Sequence, residues 1–302
     1  MRYTPRVRLI PIVLLLLAGC SETSTRTPDD AAGPDAGTAD LHGGREAAWD
    51  LPTWDAQPLE GGAPDAGPSI WRPKPGTTWH WQLTKTVDQT VNATMFDIDL
   101  FDNTKTTIAA LKAKGRVVIC YFSAGSYESW RPDAKDFPQS VLGSKMSGWD
   151  ELWLDIRSPA VHQIMKARMD LAVTKGCDGV EPDNVDGHDN ATGFPLVPAD
   201  QLAYNTLLAA EAHKRGLSVG LKNDLSQVAQ LLPHFDWALN EQCLQYTECD
   251  LLAPFIQAGK AVFHVEYSPA TRAAVCPMAT ALGFDSQIKK LELDAWFVAC
   301  WN

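Results

Sequence analysis

The chain has 302 residues, 45% of them hydrophobic, seven cysteines and a formal net charge of -11. An acidic balance of this size excludes nucleic acid as a partner, because neutralising phosphates needs a basic face. The hydrophobic content excludes a wholly disordered chain and is enough for a substantial core.

The first predicted element is a leader: Arg2, Arg6 and Arg8, an apolar run over 9–17, then Ala18, Gly19 and Cys20. That order is an export signal whose apolar run is too short for a membrane span in the mature protein. Leu17, Ala18, Gly19 and Cys20 resemble the lipobox of bacterial lipoproteins, which implies removal of 1–19 and lipid attachment to the Cys20 thiol. With Ser21 next, the resemblance implies an exported protein anchored to the cell envelope at the outer membrane. Residues 20–70 are rich in Ala, Gly, Pro, Asp and Thr, including GPDAG at 33–37 and APDAG at 63–67. Such a segment buries too little apolar surface to offset its ordering entropy, so it is expected to be a flexible tether.

Residues 71–302 are expected to form one α/β domain. Short β-rich runs at 78–83, 95–100, 117–123, 178–183, 218–222, 237–241, 261–266 and 294–299 predict eight strands. Helices are expected near 104–114, 159–175, 200–214, 225–232, 250–258 and 284–291, and 125–157 reads as a long insertion after the third strand. Ser158 and Pro159 are a helix start, and glycines at 115, 176, 216 and 259 follow helical stretches, where a left-handed residue ends the helix. The repeated strand–helix unit predicts a (β/α)8 TIM barrel. The first strand is not followed by the glycine-rich phosphate loop of the doubly wound alternative.

An exported chain folds under oxidising conditions, so the six cysteines after Cys20 are expected to pair. The simplest of the fifteen connectivities is Cys243 with Cys249, Cys276 with Cys300 and Cys120 with Cys177. No paired cysteine or histidine spacing suggests zinc, and no metal or cofactor is expected.

The segment 178–186, DGVEPDNVD, holds four acids in nine residues. With a side-chain period of two, Glu181 and Asp183 share one face of a strand, and Glu241 ends a later strand in the same way. Barrel enzymes carry their chemistry at the C-terminal strand ends, and glycosidic cleavage needs two carboxylates there. Other residues at or near strand ends are Trp81, Asp97, Asp99, Tyr121, Asn184, Lys222, Asp224, Glu266 and Tyr267, all candidates for binding substrate.

Taken in order, WHWQL at 79–83, FDIDLFD at 96–102, CYFSAGSYESW at 120–130, LDIRSP at 154–159, GVEPDNVD at 179–186, GLKND at 220–224 and NEQC at 240–243 resemble glycoside hydrolase family 114. That is the endo-α-1,4-polygalactosaminidase family of barrel enzymes. The resemblance implies Asp183 and Glu241 as the catalytic pair, and an α-1,4-linked, cationic or partly N-acetylated galactosamine polysaccharide as the partner. The residues agree: Lys222, on the strand between, favours an ionised Asp183 as nucleophile and leaves Glu241 as acid and base. A pair using Glu181 or Glu266 is the competing assignment. A metal-dependent barrel hydrolase and a carbohydrate-binding lipoprotein without turnover are the competing functions.

Overall fold

The computed structural model describes residues 69–301, so the leader, Cys20 and all but the last two residues of the tether lie outside the described residues. No helix among the described residues is long and apolar enough to cross a membrane. In chain order the first elements are β1 (Trp79–Gln82), β2 (Met95–Asp99), α1 (Lys105–Ala113) and β3 (Val117–Ser123). Three short strands then form the insertion: β4 (Ser126–Tyr127), β5 (Leu142–Lys145) and β6 (Leu152–Leu154). The alternation resumes with α2 (Pro159–Lys175), β7 (Gly179–Asp183), α3 (Pro198–Lys214), β8 (Ser218–Lys222), α4 (Val228–Leu231) and β9 (Trp237–Glu241). It ends with α5 (Cys243–Tyr246), α6 (Ala253–Gln257), β10 (Val262–Tyr267), α7 (Arg272–Leu282), β11 (Asp285–Lys289) and β12 (Val298–Ala299).

Eight parallel strands lie in the order β1-β2-β3-β7-β8-β9-β10-β11, and β12 pairs antiparallel at the far end. This is the TIM-barrel order, with a seam between β1 and β11 that side chains bridge. The Trp79 indole donates to the Asp285 carbonyl at 2.8 Å, and the Gln287 amide donates to the Trp79 carbonyl at 2.6 Å. Above the seam, the amides of Leu83 and Thr84 both donate to the Leu293 carbonyl.

The period of two sorts the strand side chains into two layers. Trp79, Trp81, Met95, Ile119, Trp237, Leu239, Phe263 and Val265 fill the barrel interior. Their neighbours Phe96, Val118, Phe122, Val180, Val219 and Leu221 face outward and pack with Ile108, Met165, Met169 and Leu208 of the helices. Gly220 is required by this interior, because a Cβ there would stand 2.3 Å from the Trp237 ring. Helix α2 starts and stops as its sequence dictates: Ser158 accepts from the Ala160 amide, Pro159 opens the helix, and Gly176 ends it at φ 90°.

The eighth strand differs from the expectation. Residues 284–291 are not helical; they contain β11, and the stretch 294–299 contributes only the two residues of β12. The inner face of β11 is polar, Asp285, Gln287 and Lys289, because it serves the seam, and that pattern hides the strand from a hydrophobicity reading. Helix α7 was not expected at all; Pro277 lies inside it.

The insertion folds as a small antiparallel sheet, β4-β6-β5, on the C-terminal side of the barrel. Arg168 of α2, fully buried, fixes it by donating to the Ser123 carbonyl at 2.6 Å and to both oxygens of Asp133. The three disulfides are Cys120–Cys177, Cys243–Cys249 and Cys276–Cys300, the simplest of the fifteen pairings. His264 lies beside Cys243 and Cys249, but those sulfurs bond to each other and offer no thiolate to a metal.

Candidate active site

Asp183, Lys222 and Glu241 are the last residues of β7, β8 and β9, three neighbours in the sheet. The residue after each adopts a left-handed backbone: Asn184 at φ 60°, Asn223 at 49°, followed by Asp224 at 47°, and Gln242 at 65°. Asn and Asp tolerate this region better than other residues with a Cβ, and strained backbone of this kind gathers at functional sites. The three turns leave the three terminal side chains converging at the barrel mouth.

Lys222 Nζ stands 2.9 Å from Asp183 Oδ1, 3.0 Å from Glu241 Oε2 and 3.4 Å from Glu181 Oε1, and the side chain is 2% exposed. Burial works against the ammonium, but the facing carboxylates outweigh it and hold Lys222 well above its ordinary pKa. Two oxygens gripped by one ammonium are no farther apart than the two contacts laid end to end, under about 6 Å. Asp183 also accepts from the Asn184 amide at 2.7 Å and the Tyr121 hydroxyl at 2.9 Å. Glu241 accepts from the Tyr267 hydroxyl, with the Asn223 amide at 3.4 Å. Burial first, and then the adjacent carboxylates, push both tyrosines well above the usual phenol range, so each remains a donor.

Below this layer lie two acids that sequence reasoning placed at the substrate. Glu181 is fully buried, with the Trp81 indole donating to its Oε2 at 3.1 Å. Asp97 is also fully buried, and neither of its oxygens has a donor from elsewhere in the protein. Burial raises the pKa of both, and the Glu181 charge raises Asp97 further. Two buried carboxyls side by side share a proton, so Asp97 serves as a hydrogen-bond donor under Glu181.

The cleft above encloses about 490 Å³ and is walled by Trp81, Tyr121, Asp183, Asn184, Lys222, Glu241 and Tyr267. Of the remaining predicted residues, Asp99 reaches the wall but is spent on structure: Arg131 grips both its oxygens, and Oδ1 accepts the amides of Phe101 and Asp102. Asp224 lines a second chamber beyond Glu241. Glu266 is outside the cleft. It points away from the barrel interior, where its Oε1 accepts the Leu244 and Gln245 amides and contacts His264. The period of two shows why, since Glu266 is one residue out of phase with Val265 and Tyr267. Of the other aromatics in these motifs, Trp79 is in the core and Tyr127 packs on Phe137, whereas Trp130 is 55% exposed at the rim.

The insertion supplies wall residues that strand-end reasoning missed: Glu128, Arg131, Trp149 and Glu151. The exposed Trp130 and Trp149 on one loop-rich insertion were the available signal. Burial pushes Glu151 up to about 7, against a hydrogen bond from Ser126. Burial likewise raises Asp186 to about 6, Asp224 to about 8 and Asp285 to about 7.

An acid whose folded pKa exceeds its unfolded value binds a proton in the folded state that the unfolded state has already lost. Stability then falls as pH rises from the unfolded value through the folded one. The melting temperature of the domain should therefore be higher near pH 5 than near pH 8, with the decline centred on the window set by these four groups. A melting curve series that is flat or rises between those values would contradict the buried-acid account.

Comparison with known proteins finds a family and similar solved structures. Residues 62–302 match the model of glycoside-hydrolase family GH114. The structure of Aspergillus fumigatus Ega3 in complex with galactosamine is 46% identical, covers 77% of this chain and 98% of its own, and superposes with a TM-score of 0.75. The glycoside hydrolase domain of PelA from Pseudomonas aeruginosa shares the fold at 13% identity, covering 74% of this chain and 97% of its own, with a TM-score of 0.58. No curated protein matches the chain. With a family match over the whole barrel and two carboxylates, at the ends of β7 and β9, meeting on the Lys222 ammonium between them, the chain belongs to glycoside hydrolase family GH114.

Proposed function

We propose that the protein is an endo-acting hydrolase of α-1,4-linked galactosamine-containing polysaccharide that works by a retaining, two-carboxylate mechanism. The observation that carries the mechanism is the single ammonium of Lys222 held between Asp183 and Glu241 at 2.9 and 3.0 Å. Retaining enzymes keep their two carboxyl groups about 5–5.5 Å apart, and inverting ones about 6.5–9.5 Å. Asp183, the more fully hydrogen-bonded, attacks the anomeric carbon while Glu241 passes a proton to the departing oxygen. Glu241 then takes a proton from the water that displaces Asp183, so both groups return to their starting states.

The substrate class rests on two supports. Ega3, the 46% identical relative, was solved with galactosamine. The cleft wall also contains Asp99, Asp102, Glu128, Asp150, Glu151, Asp186 and Glu292 besides the catalytic pair, against Arg131 and Lys222. Such a wall attracts a polymer bearing free amines. Trp130 and Trp149 offer flat faces to sugar rings and ammonium groups at the rim.

The test is reducing-end release from partially de-N-acetylated galactosamine polymer, with the first-formed anomer followed by NMR. Release of the α anomer first, at a rate that falls as ionic strength rises, is the expected result. First release of the β anomer would overturn the mechanism, and a rate indifferent to salt would remove the charge argument.

The leader pattern supports an exported, lipid-anchored protein. Cys20→Ala should move the protein from the membrane fraction to the soluble one. An unchanged distribution would rule out the anchor.

A further inference from the structure

The insertion after β3 walls the cleft, and a file of side chains also joins it to the turn that carries Asp183. Glu151 stands just before β6, and its Oε2 accepts the hydroxyl of Ser126, the first residue of β4. Ser126 Oγ is hydrogen-bonded in turn to Ser123 Oγ at the end of β3, and the Asn184 side-chain amide donates to Ser123 Oγ at 2.9 Å. Both serines are fully buried.

The supply of donors and acceptors fixes the direction of this file. Asn184 Nδ2 can only donate, and Ser123 Oγ also accepts the Ser126 backbone amide at 3.1 Å. Both lone pairs of Ser123 Oγ are then taken, so its one proton goes to Ser126 Oγ, and the Ser126 proton is left for Glu151. Glu151 is therefore the terminal acceptor. Without an acceptor there, the Ser126 proton turns back on Ser123 Oγ and competes with the Asn184 amide for it.

At the other end of the file is the backbone that holds Asp183. Asn184 has φ 60°, and its backbone amide donates to Asp183 Oδ1 at 2.7 Å. The amides of Ala124 and Gly125 donate to the Asp183 carbonyl at 2.8 and 3.1 Å, and the Leu154 amide of β6 donates to the Gly125 carbonyl at 2.9 Å. A Cβ at Gly125 would stand 1.7 Å from the Asn184 carbonyl oxygen, so the two turns lie against each other with no room for a side chain between them.

We propose that Glu151 is a positioning residue of the hydrolysis, acting through Ser126, Ser123 and Asn184 to hold the Asp183 carboxylate in its attacking orientation. The proposal rests on the proposed function, because it takes Asp183 as the nucleophile. It gives the insertion a part in the chemical step as well as in binding. What the file needs at position 151 is an acceptor oxygen, which an amide supplies as well as a carboxylate does.

The experiment measures kcat and KM for reducing-end release from partially de-N-acetylated galactosamine polymer by the full chain and its variants. Glu151→Leu, which fills the space and keeps water from replacing the carboxylate, should lower kcat about tenfold. Glu151→Gln, which keeps an oxygen facing Ser126, should recover most of that loss. Asn184→Gly retains the left-handed backbone without the side chain and should lower kcat by about the same factor. Two serines separate Glu151 from Asn184, yet one file carries both effects, so the double variant should be no slower than the slower single one. Effects that multiply overturn the proposal, as does a Glu151→Gln variant as slow as Glu151→Leu. A Glu151→Leu defect confined to KM also overturns it, because Glu151 would then act only as a charge on the wall. Should Glu151→Leu fail to fold, Ser126→Ala cuts the same file by one atom and takes its place in the cycle. Failure of the underlying hydrolase reading appears separately, as a wild type that releases no reducing ends or as release that survives Asp183→Asn.

Discussion

Asp183→Asn and Glu241→Gln should each lower kcat on the natural polymer by about 10²- to 10⁴-fold or more, and a substrate with a good leaving group should tell them apart. The two side chains have nearly the same contact with Lys222, so that contact does not assign their roles. What differs is the remainder of each environment, with Asp183 taking the Asn184 amide and the Tyr121 hydroxyl, and Glu241 only Tyr267 at short range. If Glu241 is the acid, an aryl galactosaminide whose leaving group needs no proton should recover much of the first step in Glu241→Gln. Added azide should then release the glycosyl-enzyme as a glycosyl azide of retained configuration. In Asp183→Asn the same aryl substrate should remain slow, because the missing group is the one that bonds to carbon. Azide acting on Asp183→Asn with inversion would confirm that role from the other side. The reverse pattern would exchange the two assignments.

Lys222→Met should be the most damaging single change at the mouth, both to folding and to turnover. The ammonium is nearly inaccessible to solvent and faces three carboxylates within 3.4 Å. Removing one partner from a buried ionic cluster costs about 3–5 kcal/mol, because the charges left behind lose their compensation. With the cation gone, protonation of those acids becomes the cheaper way to bury them. The gap in melting temperature between variant and wild type should therefore be largest near pH 8 and narrow toward pH 5, while activity stays lost throughout. A variant as stable as wild type at pH 8 would mean that the ammonium does not compensate the acids around it. Methionine keeps the volume beside Trp81, whose ring lies 5.0 Å from the ammonium, so a packing defect does not account for the effect.

Much of this was legible in the sequence for a definite physical reason. Strands β2, β3, β7 and β8 have an outer face of apolar residues packed against helices, and that pattern is visible without coordinates. The candidate pair, Asp183 and Glu241, stood out because acids at strand ends are incompatible with burial unless they serve chemistry or meet a cation, and both meet Lys222. What stayed hidden depended on phase and on distant partners. Glu266 sits at the end of a strand and has suitable chemistry, yet its parity turns it outward. Asp99 lies at the right place, but Arg131, thirty-two residues later, occupies it. Strand β11 was missed because its polar side chains answer to β1, two hundred residues earlier. No local window contains either partner.

The seam that those side chains close has a mechanical meaning. A ring of unbroken backbone ladders resists opening equally all round, whereas this sheet has a clasp, made of an indole, an amide and the Leu293 carbonyl. The upper part of the clasp, Leu83, Thr84 and residues 291–293, is also a wall of the cleft. That wall can yield without the loss of a parallel rung. Accommodation of a long polymer can therefore draw on the side of the barrel where the first and last parallel strands, β1 and β11, meet.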